Sequence, residues 1–244
     1  MKAADAIAKL RELASAEVAA SSAQFFKTGP GEYGEGDVFI GVRIPAVRKL
    51  AREFQHLPLT EAAVLLHSPI HEERLLALLI LVLTAVKGED RQRKAAYDFY
   101  LNNTQYINNW DLVDISAPAV IGGYLSDQPR TPLIRLAKSA SLWERRIAII
   151  ATQHFIRLGQ FEDTLAISRL LLGEHEDLIH KAAGWMLREV GKRDRAALVA
   201  FLDAHAALMP RTMLRYAIEH FSVEGRRAYL DVERLPQSEV SRRR

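Results

Sequence analysis

Apolar residues recur at three- and four-residue intervals along nearly the whole chain, the spacing of helices with one buried face, and the alternation expected of strands is scarce. Leu10, Leu13 and Val18 predict a first amphipathic helix. The run LLALLILVLTAV at 75–86 is apolar all round. It is too short for a bilayer, which takes about 20 residues, and predicts a helix buried on most sides. Residues 27–37, KTGPGEYGEGD, carry four glycines and a proline and predict a loop. Pro45 suits a first helical turn, and Pro58 with Thr60 and Ser68–Pro69 mark further helix openings. Gly88, Gly159, Gly173 and Gly191 stand where helices are expected to stop.

Trp110, Trp143, Glu176 and Pro210 open successive helices, at intervals of 33, 33 and 34 residues. Between them the pattern predicts further helices at about 130–139, 161–172 and 194–206. A helix–turn–helix repeated at this period is the signature of an α-solenoid. The tetratricopeptide pattern is missing, and degenerate HEAT-like repeats fit better. The expected fold is all-α, one domain over residues 1–244, with a frayed tail over 236–244.

Alternate helices of a solenoid line a shared surface. The helix at 110 offers Trp110 and Asp114, four apart and so on one face. The next offers Arg145 and Arg146. The third offers Lys181, Trp185 and Arg188 on one stripe, and the fourth Arg211 and Arg215. A lone tryptophan is more often core, and arginines on a helix are usually a solvated face. Their coincidence on alternate helices predicts a concave, cationic surface interleaved with aromatics, suited to a polyanion carrying flat bases. Asp111, in a first helical turn, reads as a complement to the helix N-terminus, with Asn108 or Asn109 as the cap.

The totals narrow the chemistry. With 33 basic and 30 acidic side chains, net charge is only +3, so distribution matters more than sum. There is no cysteine, which excludes disulfides, thiolate zinc sites, iron–sulfur clusters and cysteine nucleophiles. The charged residues among the first twenty predict no signal peptide, and a cytoplasmic protein is expected. The glycine-rich loop lacks the lysine and hydroxyl ending of a P-loop, and Glu32, Glu35 and Asp37 would repel phosphate; Tyr33 is its candidate contact. No metal is expected: Pro69 separates His67 from His71, and His175 and His180 do not share a face.

WDLVD at 110–114, RRIAI at 145–149 and KAAGWMLRE at 181–189 resemble, in order and separation, the AlkD family of DNA alkylation-repair glycosylases. The tryptophan-centred third motif is the specific one, and the likeness covers nearly the whole chain. The resemblance implies a HEAT-like solenoid that hydrolyses the N-glycosidic bond of cationic N3-alkyladenine and N7-alkylguanine in duplex DNA. It needs no cofactor, acts as a monomer away from membranes, and does not flip the lesion into a pocket as other glycosylases do. It implies Asp114 as catalytic carboxylate, Trp110 and Trp185 as aromatic walls, and Arg146 and Arg188 as DNA-contacting cations. Two positions depart from the family pattern. Phe25 stands in place of a tyrosine, with Tyr33 a substitute from the loop, and His154 stands in place of a lysine. A solenoid that binds DNA without catalysis would have no use for the Trp110, Asp114 and Trp185 set. A protein-binding scaffold would carry apolar residues where this chain carries cations.

Overall fold

Capping chemistry sets many of the helix starts. In a computed structural model, which describes residues 1–233, the chain divides by backbone contacts into two compact units, Met1–Tyr124 and the chain from Leu125 onward. The tail expected over 236–244 lies outside the described residues. The fold is all-α and belongs to the helical-repeat class. Among the described residues no strand forms, and Val38 and Ile70 make an isolated bridge.

The first unit contains α1 (Ala3–Arg11), α2 (Ala16–Phe25), α3 (Ile44–Glu53), α4 (Leu59–Leu66), α5 (His71–Lys87), α6 (Asp90–Leu101) and α7 (Trp110–Ala117). The apolar run at 75–86 lies in α5, which packs against α3, α4, α6 and α7. Leu75 to Leu81 are all buried, each large side chain contributing about 1.5–3 kcal/mol. The expected single helix through Leu10, Leu13 and Val18 is instead two. Ser15 caps α2 by accepting from the Val18 N–H, and Leu13 lies exposed in the turn between them. The 27–37 segment is a loop. Gly41, just beyond it, has φ +81°, and a Cβ there would meet the Ser15 carbonyl oxygen at 2.0 Å. Only glycine allows this approach of the strap to the start of α2.

The second unit contains α8 (Thr131–Ala137), α9 (Leu142–Ala151), α10 (Gln153–Arg157), α11 (Glu162–Leu170), α12 (Asp177–Arg193), α13 (Arg195–His205), α14 (Arg211–Ala217) and α15 (Val223–Leu230). The expected openings thus fall within one residue of the observed ones at α7, α9, α12 and α14. The intervening helices α8, α11 and α13 fall inside the expected ranges. α12 packs on α9, α10, α11, α13 and α14. Gly191 does not end a helix as expected; it lies inside α12, where a Cβ would meet Leu198 Cδ2 at 2.3 Å. Gly184 plays the same part toward α14, with the Met213 carbonyl oxygen 2.5 Å from the place of its missing Cβ. At these two positions the small residue serves packing.

Candidate functional site

The first turn of α5 reads HEER, and all four residues are buried. A charged group without water needs a partner, and each has one. His71 donates from Nδ1 to Asp37 Oδ2 (2.9 Å) and from Nε2 to Asp111 Oδ2 (2.9 Å). Glu72 accepts from the backbone N–H groups of Ile40 (3.1 Å), Gly41 (2.7 Å) and Val42 (3.2 Å). Glu73 pairs with Arg11, and Arg74 pairs with Asp37 and donates to the Ser68 carbonyl. Burial alone would lower the His71 pKa, but its bonds to Asp111 and Asp37 raise it to about 9. Burial likewise opposes the charge on Asp37, yet His71, Arg74 and Asn109 bring its pKa down to about 2. The network is therefore an imidazolium held between two carboxylates.

This network fixes the start of α7. Asn109 is the cap: its Oδ1 accepts from the Trp110 N–H (2.8 Å), and its Nδ2 donates to Asp37 Oδ2 (2.9 Å). Asp111 does more than complement a helix terminus. It is buried, its Oδ2 holds His71, and its Oδ1 accepts from the Leu112 N–H (2.8 Å). Trp110 and Asp114 are both half-buried, one turn apart on the same face of α7. The buried Tyr100 phenol bonds to Ser116 (3.0 Å), and burial together with the nearby charge of Asp114 pushes its pKa up.

A ladder of rings runs from Trp110 to the imidazolium. Phe26 stacks on Trp110 with centroids 5.2 Å apart and on Phe39 at 5.0 Å, and Phe39 stacks on His71 at 4.4 Å. Phe25 meets Trp110 edge-on at 5.9 Å and is 65% exposed. These rings border a pocket of about 640 Å³ in the first unit, with Asp111, His71 and Glu72 at its base. Tyr33 is half-buried in the loop and is not among the pocket's lining residues.

The remaining sequence candidates lie in the second unit. Trp185 is half-buried and donates from its indole nitrogen to Glu189 (3.1 Å). The expected row of cations is largely engaged by the protein itself. Arg145 pairs with Glu174 and donates to the carbonyls of Ser139 and Ala140. Arg146 is 5% exposed and donates to the Leu178 carbonyl (2.6 Å). Lys181 pairs with Asp177 (2.7 Å), and Arg188 with Glu219 and Glu189. Arg211 is exposed and donates to the Leu230 carbonyl (2.6 Å); Arg215 is exposed; His154 is half-buried, edge-on to Phe155. These cations, expected on a surface that meets a polyanion, are held in ion pairs and helix-end contacts within the protein, with Arg146 the most enclosed.

The sequence reading missed His71, Asp37, Phe26 and Phe39. A signal for the first was present: four consecutive ionisable or polar residues stand directly ahead of an apolar run, which places charges in the first turn of a buried helix.

A family model described as DNA alkylation repair enzyme matches residues 6–221. Among solved structures, a protein described as a "predicted DNA alkylation repair enzyme from Enterococcus faecalis" superposes with TM-score 0.67 at 17% identity. The match covers 86% of this chain and 97% of that one. At that identity the likeness shows the fold alone. No curated protein matches.

Proposed function

Because this chain belongs to the DNA alkylation repair enzyme family, we propose that it is a DNA glycosylase that hydrolyses the N-glycosidic bond of cationic N3-alkyladenine and N7-alkylguanine in duplex DNA. The observation that carries this reading is the pairing of Trp110 and Asp114 one turn apart on a helix whose first turn is held by a buried ionic network.

Alkylation at a purine ring nitrogen leaves the base positively charged and already a good leaving group. No general acid is needed, so one carboxylate serves where glycoside hydrolases commonly use two. As the C–N bond stretches, positive charge moves to the sugar. Asp114 stabilises that oxocarbenium-like state and orients the attacking water. In the first unit Trp110 holds the cationic nucleotide through its ring face, a contact contributing about 0.5–2 kcal/mol; in the second, Trp185 offers an aromatic surface to DNA. Arg188, Lys181, Arg211 and Arg215 supply phosphate contacts, the first two by exchanging a carboxylate partner for a phosphate. Arg145 and Arg146 act mainly by shaping the second unit. Phe25, His154 and Tyr33 serve as supporting contacts, and the protein works as a monomer.

The test is incubation with N-methylated duplex DNA and measurement of released bases under single-turnover conditions. Asp114→Asn keeps the shape and removes the charge, and its rate should fall on the order of 10²–10³, as when one preorganised electrostatic group is removed. DNA affinity should be retained. Equal rates for Asp114→Asn and wild type exclude this carboxylate from catalysis. Binding with no base released by the wild type indicates a damage-binding protein.

A further inference from the structure

The bonds of the buried network converge on Trp110 from both sides in sequence. Asp37 Oδ2 accepts from His71 Nδ1 and from the Asn109 amide, each at 2.9 Å, while Arg74 holds Oδ1. His71 Nε2 donates to Asp111 (2.9 Å), so both ring nitrogens are engaged and the ring cannot turn without breaking a bond. Asn109 and Asp111 flank Trp110. The indole is held as well: Phe26 stacks on it at 5.2 Å, Phe39 on Phe26 at 5.0 Å and His71 on Phe39 at 4.4 Å. Rings and bonds close a circuit, from His71 through Phe39 and Phe26 to Trp110, and back through Asn109 and Asp37. Buried ion pairs are poor sources of stability, since apolar residues of the same volume often serve as well. What such directional bonds supply is one arrangement. Here it is the direction in which α7 leaves its cap, and so the placement of Asp114 one turn on.

We propose that His71 and Asp37 are positioning residues, which act through Asp111, Asn109 and the ring ladder to set the placement of Trp110 and Asp114 against the reacting nucleotide. The kinetic consequence rests on the glycosylase reading; the structural one rests on the geometry of the first unit. The two side chains are 2% and 4% exposed, so neither meets DNA. Their loss should leave affinity for DNA intact and act on the chemical step, where a misplacement of about 1 Å costs on the order of 10²-fold.

The experiment pairs kinetics with a spectrum. In single-turnover release of base from N-methylated duplex DNA, at a temperature where unfolding curves show a folded protein, His71→Gln should lower the maximal rate about 10- to 100-fold. The half-saturating protein concentration should not change. Glu73→Gln is the contrast. It lies in the same turn with a side chain 3% exposed, but its partner is Arg11 on α1, and its rate should match wild type. In an Asp114→Asn background His71→Gln should cost far less, because groups that act as a unit are not additive. Asn109→Ser is the milder variant: it keeps a good cap and loses the amide that reaches Asp37. Capping alone predicts the wild-type rate for it, and positioning predicts a loss. Equal losses for His71→Gln and Glu73→Gln, or the same loss from His71→Gln in both backgrounds, overturn the proposal.

The spectrum separates this outcome from that of the glycosylase reading. The indole N–H resonance of Trp110, identified by its absence in Trp110→Phe, should shift or broaden in His71→Gln and stay in place in Glu73→Gln, with those of Trp143 and Trp185 unmoved in both. No base release by the wild type removes the glycosylase, and a displaced Trp110 signal then still supports the positioning. A Trp110 signal that stays in place in His71→Gln removes the positioning, whether or not base is released.

Discussion

Two aspartates three positions apart on α7 have different work. Asp111 is fixed by His71 and Leu112, and Asp114 lies one turn below Trp110. Asp111→Asn keeps an acceptor for His71 but removes the charge, and should cost about 1.5–3 kcal/mol of stability, the range for a hydrogen bond to a charged group. Urea unfolding of the variant measures it. A helix-terminus role alone would cost a few tenths of a kcal/mol. The network also predicts a pH dependence. The His71 pKa rises from 6.5 to about 9 on folding, so its contribution is complete below 6.5 and is lost as pH climbs through 9. Asp37 falls from 3.8 to about 2, so its contribution is complete above 3.8 and is lost as pH drops toward 2. Comparing wild type with His71→Gln by thermal unfolding should show the largest gap between about pH 4 and 6.5, closing above pH 9. A gap that widens with rising pH would mean that His71 is neutral in the folded protein. The partners of His71 were not legible beforehand, because it lies 34 residues from Asp37 and 40 from Asp111. Local spacing carries no trace of such a bond, and the one spacing that was informative, His67 to His71, is interrupted by Pro69.

Helix boundaries were legible where the cap is a neighbour in sequence. Asn109 before Trp110, Ser141 before Leu142 and Asp194 before Arg195 each accept from the first turn of the helix they precede. Glycines misled where they serve packing. Gly191 reads as a stop, yet it sits inside α12, as does Gly184, and at both an atom of a neighbouring helix lies close to the place of the missing Cβ. Gly184→Ala should push α14 from α12 and lower the melting temperature clearly. Gly31→Ala is the contrast: unlike in the helical Gly184, φ is positive, at +76°, but nothing lies within 4 Å, and the cost should stay near the 1–2 kcal/mol of a left-handed residue. Equal losses would show that α14 moves aside freely. The split of the expected first helix into α1 and α2 has a comparable cause: the Ser15 N–H donates to the Ile40 carbonyl (3.0 Å), a partner the first helix cannot anticipate.

For the molecule as a whole, periodicity made the all-α repeat class legible, since each helix pair must bury a face against the next. Charge was less legible. A sequence shows that Arg188 and Arg215 occur on alternate helices, but not that Arg188 is paired with Glu219 while Arg215 stands exposed. If DNA is the partner, Arg215→Ala should flatten the dependence of log affinity on log salt by about 0.9. Arg188→Ala should flatten it less, because binding by the wild type must first open an ion pair. The reverse order would make Arg188 the stronger phosphate contact and take Arg215 off the phosphates. Finally, the four side chains of the HEER turn tie α1, the 37–42 strap and the start of α7 to one point on α5. Such a knot cannot loosen one thread at a time. The amides of Gly41 and Val42, far from α7 in sequence, should exchange their hydrogens in the same opening event as those that begin α7, and His71→Gln should speed both together.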